Sequence, residues 1–272
     1  MGEIESEAMF FWKIFKFLFL LPFTLIQILF KKKEPGDLFG PAKEVWIFFW
    51  EAKVTACLIM INIFAFFAII LFVPEQMINV YFINHPGDIF KGNIFSLLGS
   101  VFFHGGLAHL FGNMLVLFVL GRVVEKHFGA IKMFTMYLAA GLISSIADSM
   151  IRFSVGDLVG SVGASGAISG MASAAMLVAP FTFTFILFGL PVPIFAVSWL
   201  FVASDVLGLI QPVEDNVGHI AHLAGFTSIM IISLFLSTED KHKLLKGLFI
   251  NLALLAVTAL LWFFVLQSRL GH

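Results

Sequence analysis

VFFHGGLAHLFGNMLVLFVL, residues 101–120, runs for twenty residues without one Asp, Glu, Lys or Arg. As an α-helix it would rise about 30 Å, the thickness of the hydrocarbon core of a bilayer. It reads as a membrane span, yet it contains His104, His109 and Asn113. Polar groups in hydrocarbon cost free energy, so each one marks either a function or a packing contact.

Outward from this stretch, six more share its character: 45–73, 131–151, 163–179, 181–210, 217–237 and 245–266. Pro74, Pro180 and Pro212 stand just beyond three of them, where proline stops a helix. The whole chain is 60% hydrophobic and 12% charged with a mean hydropathy of +1.02. A soluble domain has about half apolar and a quarter charged residues, so this composition excludes one. The predicted fold class is an all-α membrane protein. Residues 1–44 read as a cytoplasmic N-terminal segment. Within it, 10–30 is apolar but broken by Lys13, Lys16 and Pro22, which predicts a helix lying in the interface rather than spanning. Glu3, Glu5 and Glu7 stand where a cleavable signal would carry basic residues, so none is expected.

Basic residues stay on the cytoplasmic side during insertion. Of the sixteen Lys and Arg, all but Lys91, Arg152 and Arg269 precede or open span 1 or lie at the junctions of spans 2 and 3 and of spans 6 and 7. That split predicts a multi-pass protein with the N-terminus inside and the C-terminus outside. The loop 74–100 is then external, and its Phe and Ile residues predict that it lies partly in the membrane interface. A net charge of -1 argues against a nucleic-acid partner. The single cysteine, Cys57, excludes an intrachain disulfide and a cysteine-based metal cluster.

Under this topology spans 2, 4 and 6 all start from the external side, and their first turns carry His104, His109, Asn113, Ser165, His219 and His222. Ser165 and His222 come out level, about 6–9 Å below the outer helix ends. His109 and Asn113 share a helix face, as do His219 and His222. Small residues recur at helical spacing, as Gly166, Gly170 and Ala174 on span 4 and Gly218, Ala221 and Gly225 on span 6. Such faces let backbones approach closely, which a short serine hydroxyl needs to reach an imidazole. The plain alternative is that the histidines bond to neighbouring helices and that Gly163-Ala-Ser165-Gly166 is a packing seam.

These residues together resemble the rhomboid family. His104-Gly-Gly-Leu-Ala-His109-Leu-Phe-Gly-Asn113 is similar to the family's paired histidines followed by an asparagine. Gly121, Glu125 and Gly129 resemble its turn after helix 2, Gly163-Ala-Ser165-Gly166 its GxSG, and Gly218-His219-Ile-Ala-His222-Leu-Ala-Gly225 its sixth-helix motif. The resemblance covers 45–237 and implies a six-helix protease core. Residues 238–272 would add a seventh helix, an arrangement found in part of the family. It implies an intramembrane serine endopeptidase with Ser165 as nucleophile and His222 as base. The oxyanion hole it implies is made by the side chains of His109 and Asn113 with the backbone N–H of Ser165. Its substrates would be single-span or polytopic membrane proteins cleaved near the external face, with the bilayer as partner and no cofactor or metal. One departure concerns the loop, where the family often has a Trp-Arg pair. Here the aligned residues are Ile94-Phe95-Ser96-Leu97-Leu98-Gly99, which puts loop rigidity in question.

A hydroxyl becomes a competent nucleophile when a base takes its proton as it attacks, and an imidazole can return that proton to the leaving amine. No carboxylate follows His222 on its own helix face, which predicts a Ser–His dyad rather than a triad. Asp148, Asp157 and Asp205 are expected to solvate helix ends. Gly189, Pro191 and Pro193 predict a weakened or kinked helix 5, which with helix 2 would form a lateral gate for substrate. A metalloprotease would need a pattern such as HExxH, which no histidine here begins. Two non-enzymatic readings stay open: a catalytically silent rhomboid-like protein that holds membrane clients, and a transporter, for which no internal repeat is visible.

Overall fold

The computed structural model describes residues 24–30, 34, 36, 39–184, 190–211 and 217–270. Among them the helices run in the order α1 (Phe39–Trp50), α2 (Lys53–Phe72), α3 (Glu75–Tyr81), α4 (Ile94–Phe102), α5 (Leu107–Phe128), α6 (Ala130–Val155), α7 (Ser165–Val178), α8 (Ile194–Ile210), α9 (His219–Ser233) and α10 (Thr238–Leu270). A two-residue antiparallel ladder, β1 (Phe183–Thr184) with β2 (Val192–Pro193), precedes α8. The fold is an all-α membrane protein. Of the expected interfacial helix, only 24–29 is helical within the described residues, and 10–23 lies outside them.

Four helices, α2, α5, α6 and α10, are long and apolar enough to cross a membrane by themselves. The other three expected spans are short, with 14 residues in α7, 17 in α8 and 15 in α9. At 1.5 Å per residue α7 is about 21 Å long, roughly 9 Å less than the hydrocarbon core. It sits at the centre of the bundle, packed by α5, α6, α8, α9 and α10. Nearly every residue of α7 is buried, among them Ala167, Met171, Ala174 and Ala175. Small side chains let five neighbours crowd one helix, and Tyr137, Met133, Met136, Leu117 and Leu120 fill the space around it. The side chains described along α10 are mostly exposed. It meets the bundle through Gly247, against the Leu177 carbonyl, and through Asn251 Nδ2, which donates to Met176 O at 3.2 Å.

Several expected boundaries are corrected. Span 1 does not run unbroken over 45–73, because the chain turns at 51–52 between α1 and α2. Arg122 causes part of this turn by donating to Phe48 O and to Glu51 Oε2 at 3.0 Å, with its guanidinium 3.8 Å from the Phe48 ring centre. Glu125 completes it. Its carboxylate accepts from the N–H groups of Val54 at 3.0 Å and Thr55 at 2.8 Å and from Thr55 Oγ1 at 2.8 Å, capping α2, whose own N-cap Ala52 cannot. Span 2 begins at Leu107 rather than 101, so His104 precedes the helix, and it ends at Phe128 rather than 120. Hydropathy finds apolar runs, and a helix continues past them where its charged residues find partners. The fifth span, α8, starts at Ile194 rather than 181, so Pro191 and Pro193 precede it and mark a start and not a kink, while Gly189 lies outside the described residues.

The loop 73–106 is held by a polar framework in which no Trp-Arg pair takes part. Asp88, 3% exposed, accepts from Ser96 Oγ at 2.7 Å and from the His85 N–H at 3.1 Å. Asn84 forms a bridge with Ser161 and donates from Nδ2 to Ser145 O at 2.9 Å. Ser96 belongs to the stretch whose departure from the family put rigidity in question. It is fully buried, while Ile94, Phe95 and Leu98 of the same helix point outward.

Candidate active site

Ser165 is the first residue of α7, with Ala164 as N-cap. The expectation that Gly163 and Ala164 lie within the helix is therefore corrected. No helical turn of α7 precedes Ser165, which is half-buried. Ala164 gives no side-chain cap to the first-turn N–H groups, where a Ser or Asp would be worth about 1 kcal/mol. Donors at a helix start favour negative charge, and here they lie at Ser165.

Gly163 has φ +121, a conformation that L side chains rarely adopt. Its N–H donates to Ser100 O at 2.8 Å, which anchors the approach to α7 on the end of α4. A Cβ on Gly163 would lie 2.7 Å from the His109 ring and 3.4 Å from Asn113 Nδ2. The two α5 side chains expected to work together thus converge two residues before Ser165. Asn113 Nδ2 is buried without a hydrogen-bond partner among the described residues. His104, 1% exposed, stacks edge-on against His109 with ring centres 5.2 Å apart.

The α7–α9 contact carries the other half. A Cβ on Gly225 would overlap the carbonyl of Gly166, and a Cβ on Gly170 would lie 3.2 Å from Gly225 O. The small-residue faces read from the sequence do meet. Ser144 of α6 donates to Ala221 O at 2.7 Å, beside His222. Ser165, His222 and Asn113 line a cavity of about 220 Å³ together with Val116 of α5 and Phe201, Ser204 and Asp205 of α8. They also line a larger one of about 1120 Å³, with His109, Gly163, Gly166 and His219.

Two expectations about acidic residues are corrected. Asp205 does not solvate a helix end. It is 7% exposed, and its Oδ1 lies 2.9 Å from Nδ1 of both His219 and His222. A carboxylate does reach His222, from α8 rather than from α9. Asp148 is fully buried, accepting from Arg152 Nε at 2.9 Å and Ser161 Oγ at 2.6 Å, while Arg152 also pairs with Asp157. The signal for Asp205 was present as an ionisable residue inside an apolar helix, the same criterion that singled out the histidines.

A family model described as the Rhomboid domain matches residues 91–239, more than half of the chain. Among curated proteins, the chain is 38% identical over 91 residues to the rhomboid protease GluP of Bacillus subtilis, covering 34% of this chain and 17% of GluP. It is 37% identical over 84 residues to RHOMBOID-like protein 5 of Arabidopsis thaliana, 31% of this chain and 26% of that protein. With the rhomboid protease AarA of Providencia stuartii it shares 27% over 150 residues, 46% of this chain and 50% of AarA. The matches thus span half or less of these relatives' length. The matched region takes in α5 through α9 and every residue of the cavities described above, and the chain belongs to the rhomboid family.

Proposed function

We propose that this protein is an intramembrane serine endopeptidase that cleaves membrane-protein substrates with Ser165 as nucleophile and His222 as base. The observation that carries the reading is one shared cavity. A hydroxyl from α7, an imidazole from α9 and an amide from α5 line the same 220 Å³ space at the end of the bundle where α7 begins. Two relatives bear the name rhomboid protease, which favours the same chemistry.

In the proposed reaction Ser165 Oγ attacks the scissile carbonyl carbon as His222 takes its proton. The carbonyl oxygen becomes an oxyanion, met by the Ser165 N–H and the side chains of His109 and Asn113. Its collapse breaks the C–N bond, and the proton held by His222 goes to the leaving amine. Water, activated by His222 in turn, then releases the acyl group. The larger cavity, lined by irregular backbone at 159–163, gives that water a route. The placement of basic residues supports reading this end as the external one. The smaller cavity lies between α5 and α8, the gap through which a substrate helix would enter.

The test is reconstitution of the pure chain with a labelled single-span substrate, beside Ser165→Ala and His222→Ala. Cleavage in the parent and its loss in both folded variants is expected. Binding without cleavage in the parent would replace this reading with that of a client-holding protein.

A further inference from the structure

The carboxylate of Asp205 is unused by the reaction just described, and its position is specific. A single oxygen, Oδ1, is 2.9 Å from Nδ1 of His219 and equally far from Nδ1 of His222. A carboxylate oxygen shared by two imidazole nitrogens accepts from both when it is ionised, which puts a proton on each Nδ1. In a neutral imidazole that leaves Nε2 of His222 as the lone-pair nitrogen, the form a general base needs.

Asp205 also belongs to a helix with little else to hold that end. The buried residues of α8 are Ile194, Val197 and Ser198 in its first turns and then Asp205 alone. One turn on, Gly208 has no side chain where a Cβ would run into the His219 ring. The site end of α8 is therefore docked on α9 through one carboxylate and one glycine, both set against the histidines.

We infer that Asp205 is the positioning residue of this site: by bridging His219 and His222 it holds His222 in the tautomer that leaves Nε2 free for Ser165, and it does so only while α8 is docked on α9. This rests on the endopeptidase reading. It adds a third member, carried by the helix that borders the entry gap, so opening α8 to admit substrate withdraws the orienting group from the base. Redocking of α8 is then part of completing the site.

The test uses the full chain in lipid, as parent, Asp205→Asn, Asp205→Glu and Gly208→Val. Three quantities are read: kcat and KM on the single-span substrate, the rate at which a fluorophosphonate labels Ser165, and the ¹⁵N shifts of the histidine rings. An amide in place of the carboxylate can donate to Nδ1 and stabilise the opposite tautomer. Asp205→Asn should therefore lower kcat and the labelling rate by on the order of 10²–10⁴-fold without raising KM, the upper figure being that for the same change in a soluble Ser-His-Asp triad. Asp205→Glu should recover part of the loss, and Gly208→Val should lower kcat with Asp205 intact. The parent's spectrum should show His222 protonated at Nδ1, and that of Asp205→Asn should not. Parental kcat in Asp205→Asn, or a loss confined to KM, overturns the proposal. If Asp205→Asn does not fold, the parent's spectrum decides, and a proton on Nε2 of His222 overturns it. A parent that neither cleaves nor labels at Ser165 would instead defeat the endopeptidase reading, while the ring shifts still report whether Asp205 sets the tautomer.

Discussion

The carbonyl of Gly166 occupies the space that a side chain on Gly225 would need, so α7 and α9 meet backbone to backbone one turn from His222. This contact brings the start of α7 and the start of α9 to the same cavity. No flexible side chain stands between the two backbones to absorb an added group.

Gly225→Val should therefore force the helices apart. Overpacking a tight contact costs about 1–3 kcal/mol, and here the obstruction is backbone, which has nowhere to go. The expected outcome is a lowered unfolding temperature in detergent together with loss of Ser165 labelling, while Gly112→Val, at a position with open space around it, should lower neither.

Asn113→Ala removes an amide whose Nδ2 is buried without a partner among the described residues, so the resting protein should lose little stability. If that donor meets the oxyanion, kcat should fall by about 10²–10³-fold with KM nearly unchanged. Steady-state kinetics on the single-span substrate separate the two parameters.

Glu125→Ala acts at the far end of the bundle. It strips the cap from α2, leaving the Val54 and Thr55 N–H groups unpaired, at a cost of about 1–3 kcal/mol. Glu125 is sixteen residues along α5 from His109, about 24 Å away. Chemical denaturation should show the loss, while kcat per folded molecule stays at the parental value.

Asp148→Ala removes the buried anchor of the segment leading into Ser165. Breaking such a pair typically costs about 3–5 kcal/mol, and the lower figure applies because Asp157 keeps its hold on Arg152. Limited proteolysis should then cut within 156–164 faster than it does in the parent.

Much of this protein follows from local rules. Hydropathy over twenty residues found the four helices long enough to cross a bilayer and the places of three shorter apolar ones, though not their ends. Helical spacing put His219 and His222 on one face, and both do meet the same carboxylate oxygen. The small residues of spans 4 and 6 foretold a close approach because nothing else lets two helix backbones touch.

What local rules missed has a single cause. Helix ends are decided by partners elsewhere in the chain: α2 starts where Glu125 of α5 caps it, and α7 starts at Ser165 because Gly163 is tied to Ser100. Spacing within α9 showed only that no carboxylate followed His222. The one that reaches it stands seventeen residues earlier on another helix. Hydrophobicity and period are properties of a segment, so the sequence alone determined the solvent, the helices and their polar faces. Hydrogen bonds between helices are properties of the packed bundle, and only the tertiary structure decided which carboxylate meets which imidazole.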